Sequence, residues 1–219
     1  MSYRALATDF DGTIATEGKV SNATYLALQR WQQSGRSLIM VTGRRLDNLY
    51  EVFPLAETFD CIVAENGALL SFPTVGEEEL LGEPPPKSLI EALRQRQVKP
   101  LKAGRGIVST EVPHDATVLE VINELNLEWQ ISYNKGAVML LPNGVDKDLG
   151  LRKALAKLNL SPDRVVAVGD GENDLPLLQL CGLSVSVNNA LPMLKEASDW
   201  IMTRDCGDGV AELIDQLLQ

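Results

Sequence analysis

The chain has 219 residues, an apolar fraction of 45%, and 30 acidic against 20 basic residues, for a formal net charge of −10. A surface this acidic repels nucleic-acid phosphates and anionic membranes, so neither is an expected partner. No uninterrupted apolar stretch is long enough to cross a bilayer, and the N-terminal segment reaches Asp9 too early for a secretory signal, so a soluble cytoplasmic chain with a substantial core is expected.

Residues 4–8 form a short apolar run before an acidic loop, which predicts a buried strand. Ser21-Asn22 offers an N-cap to an amphipathic helix that reaches residue 33 and is closed by Gly35. A second buried strand follows over 37–41, ending at Thr42-Gly43-Arg44, then a helix over 46–53 with Pro54 beyond it. A third strand over 60–64 runs into Glu65-Asn66-Gly67. The pattern then changes. Glu77-Glu78-Glu79 and Pro84-Pro85-Pro86 read as a polar, stiff boundary. Beyond it come a helix (87–97), a strand (106–112), a helix (115–126) and two strands (128–133 and 137–141) around an Asn134-Lys135-Gly136 turn. The first alternation resumes with a helix over 148–158, a strand over 164–168 ending at Gly169-Asp170, a helix over 175–180, a strand over 183–187 and a last helix over 209–218. The expected fold is α/β, a Rossmann-like doubly wound parallel sheet (residues 1–73 and 143–219) interrupted by a small α+β domain (74–142).

In such a sheet, ligands bind beyond the carboxyl ends of the strands. The pairs Asp9/Asp11 and Asp170/Asp174, together with Thr42-Gly43-Arg44 and Glu65-Asn66-Gly67, all fall at predicted strand ends. Asp9 and Asp11 leave the same face of an extended segment, and two carboxylates so close suit a division into nucleophile and acid. The plainer reading of that pair is a strand end followed by an Asp-Gly turn. Asp170 and Asp174 add oxygen ligands with no histidine nearby, which points to a hard cation, Mg²⁺ before Zn²⁺. Asp174 could instead cap the helix that follows. Thr42 and Gly43 offer a hydroxyl and an amide to a phosphate, and Lys147 could offset charge on both phosphate and nucleophile. His114 is the single histidine, so a Ser-His-Asp device is unavailable. Cys61, Cys181 and Cys206 form no CxxC pair. The arginine that a cysteine phosphatase places six residues after its nucleophile is replaced by Gly67, Val187 and Glu212. Buried, reduced thiols are expected. Neither a Walker loop nor a complete G-x-G-x-x-G is present.

Four segments, in order, carry a resemblance. Asp9-Phe10-Asp11-Gly12-Thr13, the run from Leu38 through Thr42-Gly43-Arg44, Lys147 within Gly144-Val145-Asp146-Lys147, and Gly169-Asp170-Gly171-Glu172-Asn173-Asp174 resemble the four motifs of the haloacid dehalogenase superfamily of phosphohydrolases. The second aspartate of the first pair is a mark of its phosphatases. Ala64-Glu65-Asn66-Gly67-Ala68, and an insertion between the second and third motifs, are similar to the Cof-like branch with a short type 2 cap. Its small phosphoglycolate and sucrose-phosphate phosphatases are the nearest in kind.

The resemblance implies a Mg²⁺-dependent phosphatase in which Asp9 is the nucleophile, Asp11 the acid and base, and an aspartyl-phosphate the intermediate. Mg²⁺ would be held by Asp9, the Asp11 carbonyl and Asp170, with Asp174 supporting. Thr42, Gly43, Arg44, Asn66, Lys147 and Asn173 form the expected phosphate- and substrate-binding set. The expected partner is a small phosphorylated metabolite, phosphoglycolate or a sugar phosphate, and the expected state a monomer or homodimer. Arg105, His114 and Lys135 are the polar cap candidates for a substrate's carboxylate or hydroxyls. A sugar phosphomutase and a non-catalytic phospho-ligand-binding relative are the alternatives.

Overall fold

Apolar runs of four or five residues, too short for helices, become the inner strands of one sheet. The computed structural model describes residues 3–219, so residues 1 and 2 of the expected core segment lie outside the described residues. The chain opens with β1 (Ala5–Thr8), a small hairpin of β2 (Ala15–Thr16) and β3 (Lys19–Val20), then α1 (Asn22–Gln33) and β4 (Ser37–Val41). Next come α2 (Leu46–Val52), β5 (Cys61–Ala64), β6 (Leu69–Phe72) and β7 (Glu77–Leu80). The inserted part contains α3 (Lys87–Gln95), β8 (Lys102–Ala103), β9 (Val108–Glu111), α4 (Asp115–Glu124), β10 (Trp129–Asn134) and β11 (Ala137–Pro142). The chain then returns through α5 (Lys147–Lys157), β12 (Val165–Gly169), α6 (Leu175–Leu180), β13 (Leu183–Ser186), α7 (Pro192–Glu196), β14 (Trp200–Ile201) and α8 (Cys206–Leu217).

The large sheet has the order β14-β13-β12-β1-β4-β5-β6-β7. From β14 to β5 its pairings are parallel, whereas β6 and β7 join antiparallel. Every residue of β1, β5 and β12 is buried, so the sheet is covered on both faces. On leaving β1 the chain goes to β4 on one side, and it comes back at β12 on the other. That switch point opens a crevice at the carboxyl end of β1, where such sheets bind ligands. Ser21 caps α1 as its sequence predicts, accepting from the amide of Thr24 at 3.1 Å.

β7 differs from expectation. The sequence reading ends the core at residue 73, yet Glu77–Leu80 pairs with Leu69–Phe72 in the large sheet. Alternation explains it: Glu77 and Glu79 both reach Lys157 of α5, at 2.6 and 2.7 Å, while Leu80 packs against the core. The acidic run is a charge-matched edge strand.

The smaller sheet, order β10-β11-β9-β8, is antiparallel and carries its own core. One face buries Val108, Val138 and Leu140 under Leu89, Leu93, Val118 and Val121 of the two helices. Its other face sets Ile107, Met139 and Leu141 against Ala68 and Val145, next to the crevice. Cys61 is buried and Cys181 and Cys206 are half-buried, all reduced; burial pushes the Cys61 and Cys181 thiols up to about 12. No helix among the described residues is long and apolar enough to cross a membrane.

Candidate active site

β1 delivers Asp9 to the bottom of the crevice, where the residue is only 4% exposed. From the opposite side, α5 delivers Lys147 as its first residue. A cation is unfavourable at the positive end of a helix, so this one needs anionic partners. It has two: Nζ donates to Oδ1 of Asp9 and to Oδ1 of Asp174, both at 2.6 Å. The helix start is held by Asp146, whose carboxylate accepts from the amide of Leu149 at 2.8 Å. It is also pressed against the Glu65-Asn66-Gly67 turn. At Gly67, with φ +102°, a Cβ would meet the Asp146 carbonyl at 1.8 Å, so only glycine permits that approach.

Asp174 does not cap α6 with its side chain. Its Oδ2 accepts from the amides of Asp170 and Gly171 at 3.0 Å each, which turns the carboxylate back toward Lys147. Asp170 receives the Thr13 hydroxyl at 3.1 Å and the ammonium of Lys135, which descends from the β10–β11 turn. Gly12 lies so near that a Cβ there would sit 2.1 Å from Asp170 Oδ2. Asp9, Asp170 and Asp174 thus offer carboxylate oxygens within 4.8 Å of one another, all buried.

Burial raises the Asp9 carboxyl well above its ordinary value, against the pull of Lys147 and with Asp174 and Asp170 adding to the shift. Asp170 is also raised, first by burial, with Lys135 opposing and Asp174 adding. Lys147 is held protonated by the carboxylates of Asp174 and Asp9 despite its burial. Three buried carboxylates around one buried lysine leave an excess of negative charge. Oxygen donors without nitrogen or sulfur suit a hard divalent cation, so the residues present fit one.

The remaining expected site residues divide. Thr42 is buried at the end of β4, and its hydroxyl accepts from the amide of Arg44 at 3.1 Å. A Cβ on Gly43 would lie 3.3 Å from the Met139 sulfur, which brings the smaller sheet directly over this loop. Asn173 donates to Oδ1 of Asn66 at 2.8 Å, and Asn66 donates to the Ser132 hydroxyl at 3.3 Å, so both asparagines join the rim. Asp11 stands apart from the carboxylate cluster. Arg44 grips it with Nε at 2.6 Å and Nη2 at 2.7 Å, a two-point pairing. Lys135 reaches the cluster; Arg105 and His114 do not. The Arg105 guanidinium pairs with Glu78, and His114 accepts from the amide of Lys99 at 3.4 Å.

One residue of the site, Asn189, has no place in the sequence analysis, and another, Glu65, stands there at a strand end without a role. Asn189, after β13, donates to the Gly12 carbonyl at 2.8 Å and approaches Asp170 Oδ2 at 3.4 Å. It follows another strand end, so the strand-end rule that found Asp170 could have found it too. Glu65 is 1% exposed, and its two oxygens accept from the amides of Arg105 at 3.1 Å and Gly106 at 2.7 Å. It fastens the inserted part to the core.

A family model described as haloacid dehalogenase-like hydrolase matches residues 6–99 and 94–214. The chain belongs to that family. It is 31% identical over 224 residues to a phosphoglycolate phosphatase of Methanothermobacter thermautotrophicus, covering 98% of this chain and 99% of that one. To phosphoglycolate phosphatase 2 of Saccharolobus solfataricus it is 29% identical, covering 97% and 91%. Among solved structures, a haloacid dehalogenase-like hydrolase from Bacteroides thetaiotaomicron shares the fold with a TM-score of 0.80, at 23% identity over 99% of this chain and 100% of that one. With such relatives along its whole length, this haloacid dehalogenase-like hydrolase is a phosphatase.

Proposed function

We propose that this phosphatase hydrolyses a small phosphomonoester in two displacements, with Asp9 as the attacking group. The observation that carries the reading is the sealed triangle of Asp9, Lys147 and Asp174 at the mouth of β1, with Asp170 beside it. A surface or capping aspartate has no need of a fully buried lysine counter-ion. A phosphoryl acceptor does, since its charge must be offset while a second anion approaches.

Asp9 attacks phosphorus in line and forms an aspartyl-phosphate; Asp11 protonates the leaving oxygen and then takes a proton from the water that hydrolyses the intermediate. Arg44 positions Asp11 through both carboxylate oxygens, and one of these contacts opens when Asp11 takes up the proton that it gives to the leaving oxygen. Lys147 keeps Asp9 oriented and offsets charge throughout. Thr42, Gly43, Asn66 and Asn173 line the side on which the phosphate oxygens would lie. Mg²⁺ is the cation that best suits the cluster, and Asp9, Asp170 and the Asp11 carbonyl would hold it, with Asp174 behind them. When bound, it offsets phosphate charge and orients the phosphoryl oxygens. The smaller sheet would exclude water and select the substrate, and the full-length relatives named for phosphoglycolate favour a small acid phosphate.

The test is phosphate release from 2-phosphoglycolate and a panel of sugar phosphates, with Mg²⁺ and with EDTA. Turnover requiring the cation, and abolished in Asp9→Asn while the fold is retained, is the expected result. Full activity of Asp9→Asn sinks the reading.

A further inference from the structure

The inner face of the smaller sheet presents one side chain per strand in a single register row: Ser132, Met139, Ser109 and Lys102. The first two meet the core, Ser132 at Asn66 and Met139 beside Gly43. Ser109 and Lys102 face a cleft of about 290 Å³ whose other wall includes Asp11, Arg44, Arg45 and Asn48. The cleft therefore opens onto the carboxylate assigned to the leaving group.

The cations around the rim are committed, with one exception. Arg44 is spent on Asp11, and Lys135 on Asp170. Arg45 pairs with Asp47 at 3.3 Å and donates to the Ala103 carbonyl at 3.2 Å. Lys102 has no hydrogen-bond or ion-pair partner among the described residues, and neither has the Ser109 hydroxyl. On a chain of net charge −10, a free ammonium beside an uncommitted hydroxyl is a local exception to the field. As directly paired residues on adjacent strands, their Cβ atoms lie about 5 Å apart, so one small anionic group can touch both. The volume is at the small end of ligand pockets, which run from roughly 300 to 1,000 Å³.

We propose that Lys102 and Ser109 form a subsite for a second anionic group on the substrate, a carboxylate on the carbon that bears the phosphate ester. The preferred substrates are then small phosphorylated hydroxy acids, and phosphorylated sugars are poor ones. This rests on the phosphatase reading in which Asp9 attacks and Asp11 serves the leaving group. An ammonium and a hydroxyl donating to one carboxylate is a charge-assisted arrangement, which a neutral hydroxymethyl group in the same place does not engage.

The matched probes are 2-phosphoglycolate and 2-hydroxyethyl phosphate, which differ in carboxylate against hydroxymethyl. Wild-type enzyme is expected to prefer 2-phosphoglycolate in kcat/KM. Lys102→Met is expected to lower kcat/KM for 2-phosphoglycolate by about 10- to 100-fold, mainly through KM, and to change that for 2-hydroxyethyl phosphate by less than about threefold. Ser109→Ala gives a smaller loss of the same kind, and Lys102→Arg restores most of the preference. Equal losses on both esters, or an unchanged 2-phosphoglycolate KM in Lys102→Met, overturn the subsite and leave the phosphatase reading standing. A wild-type enzyme that hydrolyses neither ester, nor any sugar phosphate, overturns both.

Discussion

Nζ of Lys147 lies 2.6 Å from Oδ1 of Asp9, and both side chains are sealed from solvent although 138 positions separate them in the chain. The same ammonium is shared with Asp174, so one lysine holds two buried carboxylates in place. Removing it strands those charges rather than merely deleting a contact. Lys147→Met should therefore destabilise the metal-free protein by about 3–5 kcal/mol, the scale for breaking one side of a buried pair. Urea denaturation in EDTA measures this. A loss below about 1 kcal/mol contradicts the shared counter-ion.

Charge at the cluster also sets a pH dependence. Asp9 and Asp170 have folded-state values raised by burial. A carboxyl raised on folding contributes stability that is complete below its unfolded value, near 4, and is lost as pH rises through the folded one. The metal-free protein should thus lose stability between pH 5 and pH 8, and Mg²⁺ should restore more of it at pH 8. Melting temperatures at both pH values, with Mg²⁺ and with EDTA, read the effect. A Mg²⁺ increment as large at pH 5 as at pH 8 contradicts it.

Glu65 makes a separate prediction about the junction. Its carboxylate accepts from two amides of the inserted part, and the Gly104 α-carbon lies against it with no room for a side chain: a Cβ there would be 2.6 Å from the carboxylate oxygens. Glu65→Gln replaces one acceptor oxygen by a donor that faces another donor. The expected cost is about 1–3 kcal/mol, localised as faster amide hydrogen exchange at residues 104–106. Unchanged exchange there refutes the fastening role.

Much of this was legible in the sequence, for a physical reason. A parallel sheet converts strand ends that are far apart in sequence into one rim, so Asp9, Asp170, Asp174 and Thr42 could be grouped before any coordinates. Lys147 could be noticed but not weighed, because its burial depends on the Gly67 turn closing onto α5. Partnerships across the junction were out of reach. That Arg44 grips Asp11, that Lys135 rather than Arg105 or His114 reaches the cluster, and that Glu65 binds two amides depend on how two sheets meet, and local periodicity carries no record of that. The pairing of β7 is equally out of reach, since three consecutive glutamates read as a solvated boundary until Lys157 is brought beside them.

The claim on which the rest depends is that Asp9 itself receives the phosphoryl group. Its most direct test is the stereochemistry at phosphorus, followed with a phosphorothioate ester made chiral by oxygen isotopes and hydrolysed in water that carries the remaining isotope. Two successive in-line displacements, first by Asp9 and then by water, predict net retention of configuration. Net inversion means that water attacks the substrate directly, and it would contradict the account.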